Sequence, residues 1–173
     1  NEDCAFTTLL VITYHTRTGE LHYCNAGHNP ALVRRSDGRV ERLDQVHGPA
    51  LGIEAEIRYR ESILQLAEGD TVLAYTDGAN ETFNPARQRF GMKRLQGYLQ
   101  AAEDLPPEQL LDGLLAQLDQ FAAGEEHHDD TTLLAFRRMP WQADSRDRDG
   151  GLRLRVRNQL PGVAEALTEV RAY

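Results

Sequence analysis

Apolar and polar positions alternate along the first third of the chain. Ala5 to Ile12 is rich in aromatic and β-branched residues, Thr16-Arg17-Thr18-Gly19 offers a turn, and Glu20 to Asn25 resumes the extended pattern, which predicts a hairpin. A second hairpin is expected from Ala31 to Arg35 and Arg39 to Leu43, joined through Ser36-Asp37-Gly38, a turn that tolerates positive φ. His47 to Gly52 is punctuated by glycine and proline and reads as a loop; Ile57 to Leu66 then alternates as a half-exposed strand, and Glu68-Gly69-Asp70 turns the chain. Thr71 to Tyr75 is a short continuous apolar run between turn signals, which suits a central strand buried on both faces.

The period then lengthens. Met92 to Ala102 has helical spacing, and a second helix opens at Pro106-Pro107, where the fixed φ of proline suits a first turn. Leu110, Leu111, Leu114, Leu115, Leu118 and Phe121 form an apolar stripe that packs most simply on a sheet face. After a polar turn over Glu125 to Asp130, Thr131 to Phe136 returns to strand character, so the order is several strands, two helices and one strand. That order predicts an α+β fold, a layered β-sheet sandwich flanked by helices.

Residues 137–151 carry Pro140, alternating charges and a Gly150-Gly151 pair, and read as a linker between a main domain over residues 1–136 and a tail over 152–173. In the tail Leu152, Leu154 and Val156 alternate with arginines, and Val163, Leu167 and Val170 repeat at helical spacing through Tyr173. One strand and one helix cannot enclose a core, so the tail either docks on the main domain or begins a second one.

Composition narrows the function classes. Hydrophobic residues make up 40% of the 173, enough for one sizeable core, and the net charge of −8, with acids spread along the chain, argues against a nucleic-acid partner. Cys4 and Cys24 sit in apolar surroundings and read as small buried hydrophobes in a reducing cytosol. No leader or apolar span is visible, so a cytoplasmic segment without membrane contact is expected, and the first residue, Asn1, suggests a piece of a longer chain.

The chemistry concentrates in two strings. Asp77, in Tyr75-Thr76-Asp77-Gly78-Ala79-Asn80-Glu81, follows an apolar strand; Asp129, in His128-Asp129-Asp130-Thr131-Thr132, precedes another. Carboxylates fixed at adjacent strand ends can converge on one hard cation such as Mg²⁺ or Mn²⁺ and acidify water for hydrolysis. The plainer alternative makes Asp77-Gly78 a turn and Asp129 a cap. Zinc at Glu125-Glu126-His127-His128 lacks a cysteine partner and fourfold closure, and a calcium loop from Ser145 fails because Val156 stands where a bidentate acid is required. Arg87, Arg89 and Arg94 read as solvated helix flanks, and His28 as a turn-stabilising imidazole whose role stays open.

Ala74-Tyr75-Thr76-Asp77-Gly78 with Glu81, Asn25-Ala26-Gly27-His28-Asn29-Pro30, Phe90-Gly91 and Asp129-Asp130-Thr131-Thr132 occur in the order seen in bacterial type-2C (PPM) metal-dependent serine/threonine phosphatases. From about Cys4 to Phe136 the chain resembles their sporulation stage II E and sigma-factor-regulator branch. The resemblance implies that Asp77 and Asp129 ligate the same Mn²⁺ or Mg²⁺, that Gly78, Glu81 and Asp130 lie at or behind the metals, and that no side chain beyond the ligands is catalytic. It implies a phosphoserine or phosphothreonine substrate on a small anti-anti-sigma-type protein in a partner-switching pathway.

The family's earlier Asp-Gly pair, which bridges two metals, has no match: Asp37-Gly38 lies in a polar hairpin and Asp149-Gly150 in the linker. The chain therefore looks like the C-terminal half of such a domain, inactive alone, with a two-metal site only when complete. A rival reading keeps the fold as a non-catalytic module that binds the phosphoprotein. The tail weakly resembles the opening of histidine-kinase-like ATPases that act as anti-sigma kinases, without their nucleotide motifs.

Overall fold

The computed structural model describes residues 5–125 and 129–140 together with two later strands, 153–159 and 168–171. In chain order the elements are β1 (Leu9–His15), β2 (Glu20–Ala26), β3 (Leu32–Arg34), β4 (Val40–Arg42), β5 (Ser62–Gln65), β6 (Thr71–Tyr75), α1 (Asp77–Glu81), α2 (Gly91–Ala101), α3 (Pro107–Ala122), β7 (Thr131–Arg137), β8 (Arg153–Gln159) and β9 (Thr168–Arg171). The strands form two antiparallel sheets, β1-β2-β5 and β4-β3-β6-β7-β8-β9, which is the layered α+β arrangement expected.

Both expected hairpins are present, β1–β2 with Val11 opposite Cys24 and β3–β4 with Val33 opposite Glu41. The half-exposed strand expected from Ile57 is realised only from Ser62. Its pairing with β2 stops at Tyr23 opposite Ser62. Just past that point, Asn25 receives the His47 N–H at its carbonyl (2.8 Å) and donates its own N–H to His47 Nδ1 (3.0 Å), so these groups cannot extend the ladder.

Period-2 alternation sorts the larger sheet into two faces. Val33, Val72 and Phe136 meet Leu21, Tyr23 and Leu66, which fills the space between the sheets. Leu32, Leu73, Leu133 and Ala135 point the other way, onto Leu95, Leu99, Leu110, Leu111, Leu114 and Leu118 of α2 and α3. The stripe read from the sequence is thus the helix layer's buried face, and α3 begins with proline at N1 and ends on Ala123 in the left-handed region. Thr71 to Tyr75 is central and almost wholly buried, as expected.

Four expectations need correction or qualification. Cys24 is half-buried, because its position on β2 faces away from the space between the sheets; Cys4 lies outside the described residues. Strand β7 continues through Arg137, one residue into the expected linker, since Thr71 pairs with Arg137. Residues 168–171 form a strand where a helix was expected. The edge of β8 offers unpaired backbone, and Thr168 and Val170 suit an extended chain there, opposite Val156 and Leu154. Finally, β8 itself pairs with β7, Val156 opposite Leu134. Linker and tail residues 141–152, 160–167 and 172–173, and His127 and His128, lie outside the described residues.

A candidate metal site at the end of two paired strands

Strands β6 and β7 are antiparallel neighbours, with Tyr75 opposite Leu133 at their shared end. Asp77 follows that end on β6 and Asp129 precedes it on β7, so residues far apart in sequence leave the sheet at the same end of two neighbouring strands. Both are exposed.

Thr76 fixes the junction. Its N–H donates to the Thr132 carbonyl (3.0 Å), and its hydroxyl accepts the Thr132 N–H (2.9 Å) while donating to the Asp130 carbonyl (2.9 Å). Thr76 stands at the N-cap of α1, yet its side chain makes no cap bond. The hydroxyl is used across the strands instead, so the antiparallel register persists one residue beyond the ladder and the two acidic loops are tied together.

Asp77 is the first residue of α1, where the positive end of the helix dipole favours a carboxylate. Its Oδ1 accepts the N–H of Gly78 at 3.2 Å, and Asp129 Oδ1 likewise accepts the N–H of Asp130 at 2.8 Å. Each carboxylate is steadied by one neighbouring amide and keeps most of its acceptor capacity. Gly78 is buried, and a side chain there would begin 2.5 Å from the Asp130 carbonyl oxygen and 2.8 Å from Thr131 Oγ1. The glycine of the Asp-Gly pair is therefore required by close approach of α1 to the start of β7, rather than by turn geometry.

The remaining expected residues take distinct places. Glu81 lies at the far end of α1, where its Oε1 accepts from Arg89 Nη1 at 2.9 Å, and the Arg89 guanidinium sits 5.6 Å from the Phe83 ring centroid. Asp130 is exposed, and its backbone carries the contacts to Thr76 and Gly78. The loop Asn25–Pro30 is closed by Asn25, whose Oδ1 accepts the His28 N–H (2.8 Å) and whose Nδ2 donates to the His28 carbonyl (2.9 Å). His28 Nδ1 donates to the Asn29 carbonyl at 3.0 Å, and Asn29 Nδ2 reaches Asn80 Oδ1 on α1 at 3.3 Å. The loop thus braces the helix that begins with Asp77. Sequence reasoning missed Thr76 and the Asn29–Asn80 contact; a threonine beside the aspartate at a strand end was the available signal for the first.

By donor chemistry, exposed carboxylates such as Asp77 and Asp129, with water free to complete the shell, are of the type that suits Mg²⁺ or Mn²⁺. Among the described residues no group of three or more His, Cys, Asp or Glu is arranged to hold a metal, so Asp77 and Asp129 do not by themselves make a complete site.

Comparison with known proteins decides the family. The sequence model of stage II sporulation protein E (SpoIIE) matches residues 1–139. The chain belongs to the SpoIIE family. It is 32% identical over 133 residues to Protein IcfG of Synechocystis sp., a match that covers 77% of the chain and 21% of that relative. Its fold is similar to that of the SpoIIE phosphatase domain of Bacillus subtilis, soaked with Mn, with a TM-score of 0.62 at 16% identity over 79% of this chain and 59% of that one. The RsbU and RsbW domains of Rv1364c from Mycobacterium tuberculosis give a TM-score of 0.56 at 26% identity, covering 76% of this chain and 36% of that one. The SiaA-PP2C domain of Pseudomonas aeruginosa gives 0.61 at 24%, covering 70% and 47%. This SpoIIE-family chain therefore spans part of each of these relatives. No helix among its described residues is long and apolar enough to cross a membrane.

Proposed function

We propose that this chain contributes the Asp77 and Asp129 ligands to the centre of a Mn²⁺- or Mg²⁺-dependent serine/threonine protein phosphatase. The observation that carries the reading is the antiparallel β6–β7 end, extended by the Thr76 clasp, from which both acids leave the sheet together. When bound, such an ion supplies charge neutralisation at a phosphoryl group and acidification of water. The chain's own residues supply position: Thr76 holds the two loops in register, Gly78 lets α1 lie against Asp130, and the Asn25–Asn29 loop steadies α1. Fixed geometry of this kind is what keeps charged groups aimed without reorganisation during reaction.

The substrate reading is a phosphorylated anti-anti-sigma-type protein, supported by the resemblance and by the similarity to a structure containing RsbU and RsbW domains. Residues 152–173 keep two readings, a docking segment or the start of an anti-sigma kinase module; the pairing of β8 with β7 supports docking.

The test uses the complete protein. Manganese-dependent phosphate release from the phosphoprotein, lost in both Asp77→Asn and Asp129→Asn, is the expected result. Unchanged phosphoprotein binding with no turnover at any Mn²⁺ or Mg²⁺ concentration would replace the enzyme reading with that of a non-catalytic binding module.

A further inference from the structure

Thr131 is 1% exposed, yet its hydroxyl oxygen has no hydrogen-bond partner among the described residues. This is a costly arrangement for a polar atom. Thr131 shares the helix-facing side of β7 with Leu133 and Ala135, and its Oγ1 lies 2.8 Å from the point where a Gly78 side chain would begin. The orphan hydroxyl is thus pressed against the first turn of α1, one residue from Asp77.

The Gly78 amide makes the complementary half of the argument. Its N–H is held by the Asp77 carboxylate at 3.2 Å, the longer of the two amide contacts that steady the acids. A cation that draws the Asp77 carboxylate outward would remove the acceptor from that amide, on the same buried glycine against which the Thr131 hydroxyl lies. Resting on the proposed metal role of Asp77, we infer that Thr131 is a positioning residue. Its Oγ1 takes over the Gly78 N–H when Asp77 engages the ion, and so latches α1 onto β7 in the loaded state. The exchange transfers one hydrogen bond and changes no covalent bond. Valine at this position would fill the same volume without the acceptor, whereas serine would keep it.

The test is a Mn²⁺ titration of the full chain, followed by thermal unfolding and by calorimetry, on wild type, Thr131→Val, Thr131→Ser and Asp77→Asn. The latch predicts that Thr131→Val unfolds at a higher temperature than wild type without metal, because the orphan hydroxyl is gone. It also predicts Mn²⁺ binding weaker by about tenfold, the worth of one hydrogen bond. Thr131→Ser should bind within about twofold of wild type, a rescue that a purely packing role does not give. In saturating Mg²⁺ the Gly78 amide proton should remain hydrogen-bonded in wild type and be left without an acceptor in Thr131→Val, read as an upfield amide shift in the variant relative to wild type, which reports the handover directly and does not depend on the variants' stability. Equal Mn²⁺ affinity in wild type and Thr131→Val, or a serine variant as weak as valine, overturns the latch alone. A wild type whose unfolding and heat signals ignore Mn²⁺, matched by Asp77→Asn, overturns the metal reading and the latch with it.

Discussion

Strand β6 has an aspartate at each end, and the two live in opposite environments. Asp70, just before the strand, is fully buried; its Oδ2 accepts from Arg35 Nη1 (2.8 Å) and the Ala67 N–H (2.9 Å), and its Oδ1 from the Ser36 N–H (2.8 Å). Arg35 reaches on to Glu41 at 2.7 Å and to the Gln65 carbonyl at 3.0 Å, and its pKa is raised, chiefly by the hydrogen bond to Glu41. Asp77, just after the strand, is exposed and is held by one amide. The first acid has its lone pairs filled by the fold and serves as a structural joint between the β3–β4 turn and the turn into β6. The second is aimed and left with capacity, which is the condition for binding something from outside.

The largest effect that would sharpen this contrast is expected at the buried end. Asp70→Ala removes one of the Arg35 acceptors, leaving it Glu41 and the Gln65 carbonyl, and strips the Ala67 and Ser36 amides of theirs, so it should cost about 3 kcal/mol, the low end for breaking a buried ion pair from one side. Urea unfolding of the variant measures it. A loss under about 1 kcal/mol would mean that Asp70 is no more structural than a surface acid, and the contrast would fail.

A smaller loss, about 1–3 kcal/mol from overpacking, is expected for Gly78→Ala, because the added methyl meets the Asp130 carbonyl oxygen at 2.5 Å and backbone cannot yield as a side chain can. Gly69→Ala is a useful companion, since Gly69 needs its positive φ of 87° in the turn before β6, a different cause with a similar outcome. Crystal structures of the two variants would separate them. A widened gap between α1 and β7 is expected only for Gly78→Ala, and an unmoved α1 would show that the close approach at Gly78 is not needed.

These residues also mark what the sequence could and could not reveal. An apolar run ending in Thr-Asp-Gly and another beginning after Asp-Asp were enough to place Asp77 and Asp129 at strand ends, and the leucine stripe of α3 was enough to predict a helix on a sheet. Whether those strand ends were neighbours depended on pairing order, which local pattern does not encode; adjacency was a geometric expectation that the resemblance favoured, and the pairing of β6 with β7 makes the strand ends neighbours. The Asp70–Arg35 joint was illegible because a buried pair from two separate turns looks, in sequence, like two surface charges. Gly78 was legible as special, but the close approach was not, since turn glycines and close-approach glycines share the same Asp-Gly string. The short β5 was illegible too, because the group that ends its ladder, His47, comes from a loop.

At the exposed end, Asp77→Asn should change stability in the absence of metal by no more than about 0.5 kcal/mol, since it removes neither packing nor a strong hydrogen bond. The same variant should abolish any rise in unfolding temperature on adding Mn²⁺, which binding to the native state alone produces. Thermal scans with and without the ion measure both. A large loss of stability without metal would make Asp77 a structural cap like its counterpart, and would remove the basis for assigning it chemistry.

The smallest effect is expected at His22, on β2. Its Nε2 lies 2.8 Å from Glu20 Oε1 and its Nδ1 3.1 Å from Glu61 Oε1, and these contacts raise its pKa, that to Glu20 most and that to Glu61 next. A group whose folded-state pKa exceeds its unfolded value adds stability below the unfolded pKa and loses it as pH rises through the folded one. Wild type should therefore exceed His22→Gln in unfolding temperature below about pH 6.5, with the gap closing on the alkaline side and shrinking in high salt, because the pair is exposed. A gap that ignores both pH and salt would mean that His22 contributes packing alone. His22 would then differ from the buried Asp70–Arg35 joint in kind as well as in size, since its contacts with Glu20 and Glu61 would add nothing through charge.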